Sequence, residues 1–168
     1  MPEGVTVAGA CADPACRAAR DARLTICLLA ALPLLAVALR LAGFRRIYAT
    51  LGRWSSARPA GSRGGHRPPS AAARATPGHI AAVVVHVNRH LLPYQSRCLL
   101  ESLALWSLLR RRGHGADLLL GARTLLGPFE AHAWVELHGA VLNDDHNVRD
   151  VYRAFELPAA TAGLPDAP

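Results

Sequence analysis

The chain has no lysine: its nineteen basic residues are all arginine, and against twelve acidic residues they leave a formal charge of +7. It has one methionine, few aromatic residues (5%) and only four cysteines. So few cysteines, three of them within the first 27 residues, exclude a disulfide scaffold and point to a reducing compartment, the cytoplasm. Cys11 and Cys16 flank Pro14 without a second ligand pair, so no metal is expected there. No zinc finger, recognition helix or aromatic RNA-binding motif accompanies the positive charge, and nucleic acid is not an expected partner. The basic surface suits acidic proteins or anionic headgroups, and its sign alone does not choose between them.

An uncharged run of full membrane-spanning length is also lacking. The longest uncharged stretch, Leu24 to Leu39, is sixteen residues and contains Pro33, whereas a span needs about twenty apolar residues. Asp13 and Asp21 dilute any charged start, and "AGFRR" is a poor cleavage site for a signal peptide. The run reads as a core or amphipathic helix, which leaves membrane contact through residues 24–41 open.

Half of the residues (51%) are hydrophobic, enough for one packed domain with an extension. Residues 1–16 read as a disordered N-terminus and 17–51 as an apolar or amphipathic helical segment with a kink at Pro33. Residues 52–76 form a Gly/Pro/Arg-rich linker, 77–157 the folded domain, and 158–168 a disordered tail. Within that domain Thr76 is placed to cap a helix that opens on Pro77. His86 and His90 lie one helical turn apart, a spacing that also suits packed or solvated side chains. A second helix is predicted from Cys98 to Arg112, with Leu99, Leu103, Trp106 and Leu109 at helical spacing and Gly113 as its stop. "ADLLLGAR" reads as a buried strand, and "EAHAWVELHGAVLND" as two strands around a tight turn. Helices followed by an antiparallel sheet give an α+β fold.

Three residue types in this domain suit acyl-transfer chemistry. Cys98 stands where its helix begins, after Ser96 as a cap and the basic Arg97, and the positive end of a helix lowers a thiol pKa. His132 shares a strand face with Trp134 and Glu136. A three-residue loop, Leu137-His138-Gly139, sets His132 opposite Asp144, and a two-residue loop sets it opposite Asp145. Directly opposed residues have Cβ atoms about 5 Å apart, so either carboxylate would reach the imidazole. Asp145 and His146 suit an exposed strand end and His114 and His138 solvated turns, while Glu136 suits either a substrate contact or an exposed strand position.

"CLLESLALWSLLRRRGHGADLLLGAR" followed by "FEAHAWVELHGAVLND" resembles the transglutaminase-like cysteine peptidases of lasso-peptide biosynthesis, the stand-alone leader-peptidase half of the two-part B protein. The resemblance spans roughly residues 77–155 and implies a transglutaminase-like or papain-like core, with the nucleophile at a helix N-terminus packed on a small antiparallel sheet. It implies a Cys98, His132, Asp144 triad and removal of a leader from a ribosomally made precursor through a thioester. The backbone N–H of Cys98 and, more loosely, Gln95 would serve the oxyanion, and Trp134 would pack near the base. No cofactor is implied. The implied partners are the precursor peptide, a separate PqqD-like leader-recognition protein and an ATP-using lasso cyclase. Two other readings stay open: amide transfer to an amine, and a non-catalytic membrane-associated binding protein.

Overall fold

The apolar N-terminal segment folds as a long helix, α1 (Pro14–Ser56), which carries Pro33 without leaving helical geometry. The computed structural model describes residues 14–56, 76–91, 98–123 and 129–155. Of the disordered start expected over 1–16, residues 14–16 are instead the first of α1; residues 1–13, residues 57–75 of the linker and the tail over 158–168 lie outside the described residues. The expected kink at Pro33 is corrected: the helix breaks at Gly43, whose φ of 75° and ψ of 163° suit a residue without a Cβ. α1 also runs past residue 51 to Ser56, so helix occupies the first residues assigned to the linker.

α1 is a packing element. Leu28 and Leu32 are buried, and Tyr48 stacks on Trp106 with ring centroids 4.9 Å apart. α2 (Pro77–His86) starts as its sequence dictates, with the Thr76 hydroxyl accepting from the His79 N–H at 3.3 Å and proline in the first turn. Its last turn widens into a π-helical turn over Val87–Leu91. His79 also meets Asp21 of α1 at 2.8 Å, tying the two helices together.

α3 (Cys98–Arg111) lies between α1 and the sheet, and its residues Leu100, Leu103, Leu105, Trp106 and Leu109 are all buried. Burial on more than one side is why its apolar positions exceed a single stripe. Its end is closed at Gly113, φ 85°, where the His114 N–H reaches back to the Leu109 carbonyl at 3.1 Å and the Gly113 N–H to that of Arg110 at 2.9 Å.

The chain then forms β1 (Ala116–Arg123), β2 (Glu130–Leu137), β3 (Ala140–Val141), the short helix α4 (Val148–Val151) and β4 (Arg153–Phe155). The sheet is antiparallel in the order β3-β2-β1-β4. Gly121 pairs with His132 and sits under the Trp134 ring, so that a Cβ there would lie 2.9 Å from two ring carbons and 3.1 Å from the Arg153 carbonyl oxygen. We expect Gly121→Ala to destabilise the fold by about 1–3 kcal/mol. Thermal denaturation checks this, with Gly115→Ala as the control, since a Cβ at Gly115 meets open space.

Candidate active site

The site is built on one strand edge. β2 and β3 are joined by His138 (φ 53°) and Gly139 (φ 81°), both in the left-handed region that a type I′ turn requires. The loop therefore has two residues, with Leu137 paired to Ala140 and Glu136 to Val141. Continued pairing would carry Asp145 to His132, yet the imidazole Nε2 contacts Asp144 Oδ2.

Asn143 explains the difference. The ladder persists for one more bond, from the Leu142 N–H to the Val135 carbonyl at 3.0 Å. The Val135 N–H then donates to the side chain of Asn143, at 2.8 Å from Oδ1, in place of a backbone carbonyl. This side-chain substitution ends β3 after two residues and turns the chain toward β2 one residue early. Asp144 is fixed further by its other oxygen, Oδ1, which accepts from the Asp145 N–H at 2.8 Å. Asp145 and His146 are exposed.

The edge of β2 that β3 leaves unpaired is taken up by the start of α3. The Ser102 hydroxyl donates to the Ala133 carbonyl at 2.9 Å, and the Ala133 amide N–H serves the Cys98 thiol. Cys98 is thus held beside the residue that follows His132. Between α3 and the loop runs a buried polar cluster. Asn143 Nδ2 donates to Glu101 Oε1 at 3.1 Å and to Ser102 Oγ at 3.0 Å. Asn88 Nδ2 donates to Glu101 Oε2 at 2.8 Å, with Arg89 Nε 3.5 Å from the same oxygen. Asn88, Glu101, Ser102 and Asn143 are all buried, and each is hydrogen-bonded, as buried polar groups must be.

The outer face of β2 carries the imidazole. His132 is stacked by Tyr152, with centroids 4.8 Å apart, and by Trp134 at 6.2 Å, while the Arg123 guanidinium lies 5.2 Å above the Tyr152 ring. Trp134 is fully buried, and its indole N–H donates to Glu136 Oε1 at 2.8 Å. The expectation of an exposed Glu136 is corrected: it is buried and takes two 2.6 Å hydrogen bonds from Arg149. Those bonds hold its carboxyl below the ordinary carboxylate range against the opposing effect of burial, with the Trp134 N–H adding to the pull.

The thiol does not follow the helix-end expectation. Burial pushes the Cys98 pKa up, the amides of Ala133 and Leu99 draw it back in part, and the negative charges of Asp144 and Glu101 add to the rise. The helix terminus is therefore outweighed by desolvation. A raised thiol value favours the neutral form, so its contribution to stability is present below the unfolded thiol value and is lost as pH rises through the folded one. Iodoacetamide labelling of Cys98, in a chain whose Cys11, Cys16 and Cys27 are replaced by serine, should climb with pH through and beyond about 8.5, the usual thiol value. A plateau reached below neutral pH would contradict this.

His132 and Asp144 therefore meet, with Trp134 stacked beside the imidazole, and Cys98 lies by the backbone of Ala133, the residue after His132, within reach of the Asp144 charge. Gln95, Ser96 and Arg97 lie outside the described residues. The His86 and His90 rings are 5.1 Å apart, but no group of three or more His, Cys, Asp or Glu among the described residues could hold a metal ion. The sequence reading passed over Asn88, Glu101, Ser102, Asn143 and Tyr152. Only Glu101 carried a signal, as a carboxylate one turn after Cys98 inside an apolar helical run.

A helix-borne cysteine, a strand-borne histidine and an aspartate on a small antiparallel sheet fit the family match found for this chain. Residues 38–156 match the model of the transglutaminase-like superfamily, and the chain belongs to that family. The match begins inside α1, well upstream of residue 77, consistent with the packing of α1 on α3. The chain is also 46% identical over 61 residues to the microcin J25-processing protein McjB of Escherichia coli. That alignment covers 36% of this chain and 28% of the relative's length. No solved structure matches.

Proposed function

We propose that this protein is a cysteine peptidase that removes the leader from a ribosomally made lasso-peptide precursor. The observation that carries this reading is the contact of the His132 imidazole with the Asp144 carboxylate, with Cys98, the first residue of α3, beside the neighbouring Ala133 backbone. The likeness to a microcin-processing protein and the family pattern read in the sequence point to the same substrate class.

In this mechanism Asp144 holds the Nε2 proton of His132, which leaves Nδ1 to take the proton of Cys98. Because burial keeps the thiol neutral, deprotonation is coupled to attack on the scissile carbonyl and needs the imidazole. The sulfur–carbon bond forms, His132 returns the proton to the leaving amine, and the carbon–nitrogen bond breaks. Water then attacks the thioester, releasing the leader as a carboxylate and restoring the thiol. The Cys98 N–H at the helix start would face the oxyanion. Tyr152 and Trp134 confine the imidazole to one plane.

The partners in this reading are a PqqD-like recognition protein that delivers the leader and a cyclase that closes the ring on the freed amine. The test is to incubate the chain with precursor and recognition protein in water enriched in ¹⁸O, with a primary amine present, and to weigh the released leader. Hydrolysis gives a leader carboxylate containing one ¹⁸O. A leader–amine adduct with no labelled carboxylate would replace this reading with amide transfer.

A further inference from the structure

We infer that the outward face of α1 is an interfacial membrane-binding surface for bilayers bearing anionic headgroups. α1 is apolar on two opposite faces. One packs into the core through Leu28, Leu32 and their neighbours Leu35 and Leu39. The other presents Ile26, Ala30, Leu34, Val37 and Leu41, spaced three or four apart and pointing away from the domain. Leu41 is 83% exposed, Leu34 70%, Ile26 67% and Val37 54%. This row is one side chain wide and, at 1.5 Å per residue, roughly 24 Å long. It carries no hydrogen-bonding side chain apart from the Cys27 thiol beside it.

Charge names the occupant. From Arg23 to Arg53 the helix holds five arginines and no acidic residue, and none of the five falls between Leu24 and Leu39. Arg23 precedes the row, Arg40 lies beside its last residue, Arg45 and Arg46 follow it, and all four are exposed. Aliphatic side chains along the middle with guanidinium groups at both ends fit acyl chains below and lipid phosphates above. A protein interface of this length would carry aromatic anchors and polar partners along the row itself. Spanning is a poorer fit than lying flat, although the helix is long enough over Asp21–Trp54 and holds an 18-residue window with a mean hydropathy of 2.3. Insertion would withdraw Leu28 and Leu32 from the core and part Tyr48 from Trp106. The surface is independent of the peptidase reading.

The experiment is co-sedimentation of the full chain with vesicles of phosphatidylcholine alone or mixed with phosphatidylglycerol. The wild-type chain should partition onto the mixed vesicles and release with salt. Partition should weaken roughly tenfold or more both in Leu34→Ser/Val37→Ser/Leu41→Ser and in Arg40→Gln/Arg45→Gln/Arg46→Gln. Melting curves report whether each variant is folded. As an independent readout, an environment-sensitive dye on Cys27, the only cysteine left after Cys11→Ser, Cys16→Ser and Cys98→Ala, should shift to the blue on mixed vesicles. A wild-type chain that stays in the supernatant, a dye that does not shift, or equal binding by the apolar-row variant would overturn the inference. So would a self-association abolished by that variant without any vesicle binding, which would make a second copy the occupant.

Discussion

Asp144→Asn is expected to slow leader release by about 10³–10⁴-fold, while Asp145→Asn leaves it within a factor of about three. The two aspartates are adjacent and strand counting alone reaches either, so the difference tests the geometry of the loop. Asp144 contacts the His132 Nε2, and Asp145 offers its backbone N–H to the Asp144 carboxylate. Changing the Asp145 side chain leaves that N–H in place. An asparagine at 144 still fits the space, but it presents a neutral amide where the imidazolium needs a carboxylate. The same substitution removes a negative charge that pushes the Cys98 thiol up. Alkylation of the free thiol should therefore not fall in parallel with peptide cleavage. Separate kinetics of iodoacetamide labelling and of leader release measure the two effects. A loss of release in Asp145→Asn equal to that in Asp144→Asn would refute the assignment.

Asn143→Ala should be the most damaging change outside Cys98, His132 and Asp144. It strips the buried Val135 N–H of its acceptor and takes a donor from both Glu101 and Ser102. Leaving buried polar groups without partners costs about 1–3 kcal/mol each, and about 2–4 kcal/mol in all is a reasonable sum for a cluster that partly relaxes. For a chain of this length that corresponds to a fall of about 5–15 °C in melting midpoint. The loop that carries Asp144 also loses its tie to α3, so kcat should fall well below the midpoint while KM changes little. Glu101→Gln keeps the shape of the cluster and one acceptor oxygen, and should be milder in stability. It also removes a charge that raises the Cys98 thiol, so labelling of Cys98 near pH 8 should become faster. Calorimetry on the two variants, with labelling rates on the second, distinguishes a positioning cluster from ordinary packing.

The helices and strands could be read from the sequence because their signals are local. Thr76 and Pro77 set the start of α2, Gly113 the end of α3, and the change from helical to alternating spacing marks β1 and β2. What the sequence could not place was decided by contacts distant along the chain. Pro33 is the stronger local breaker, yet its helix stays regular and the break falls at Gly43, where α1 turns Phe44 and Tyr48 toward Trp106. Register counting was defeated by Asn143, since a side chain that imitates a backbone acceptor is invisible to a rule about backbone pairs. Glu136 looked exposed because strand alternation cannot foresee that α4 returns with Arg149 to cover it. The thiol was expected low because a helix start is visible in sequence and desolvation is not.

Leader release by wild-type protein and by Cys98→Ala, each supplied with the precursor and its recognition protein and followed by mass spectrometry, tests the central claim most directly. The account predicts release by the wild-type chain and none above the uncatalysed background with Cys98→Ala, whose melting midpoint should match the wild type. Leader release that survives the loss of the Cys98 sulfur would contradict it.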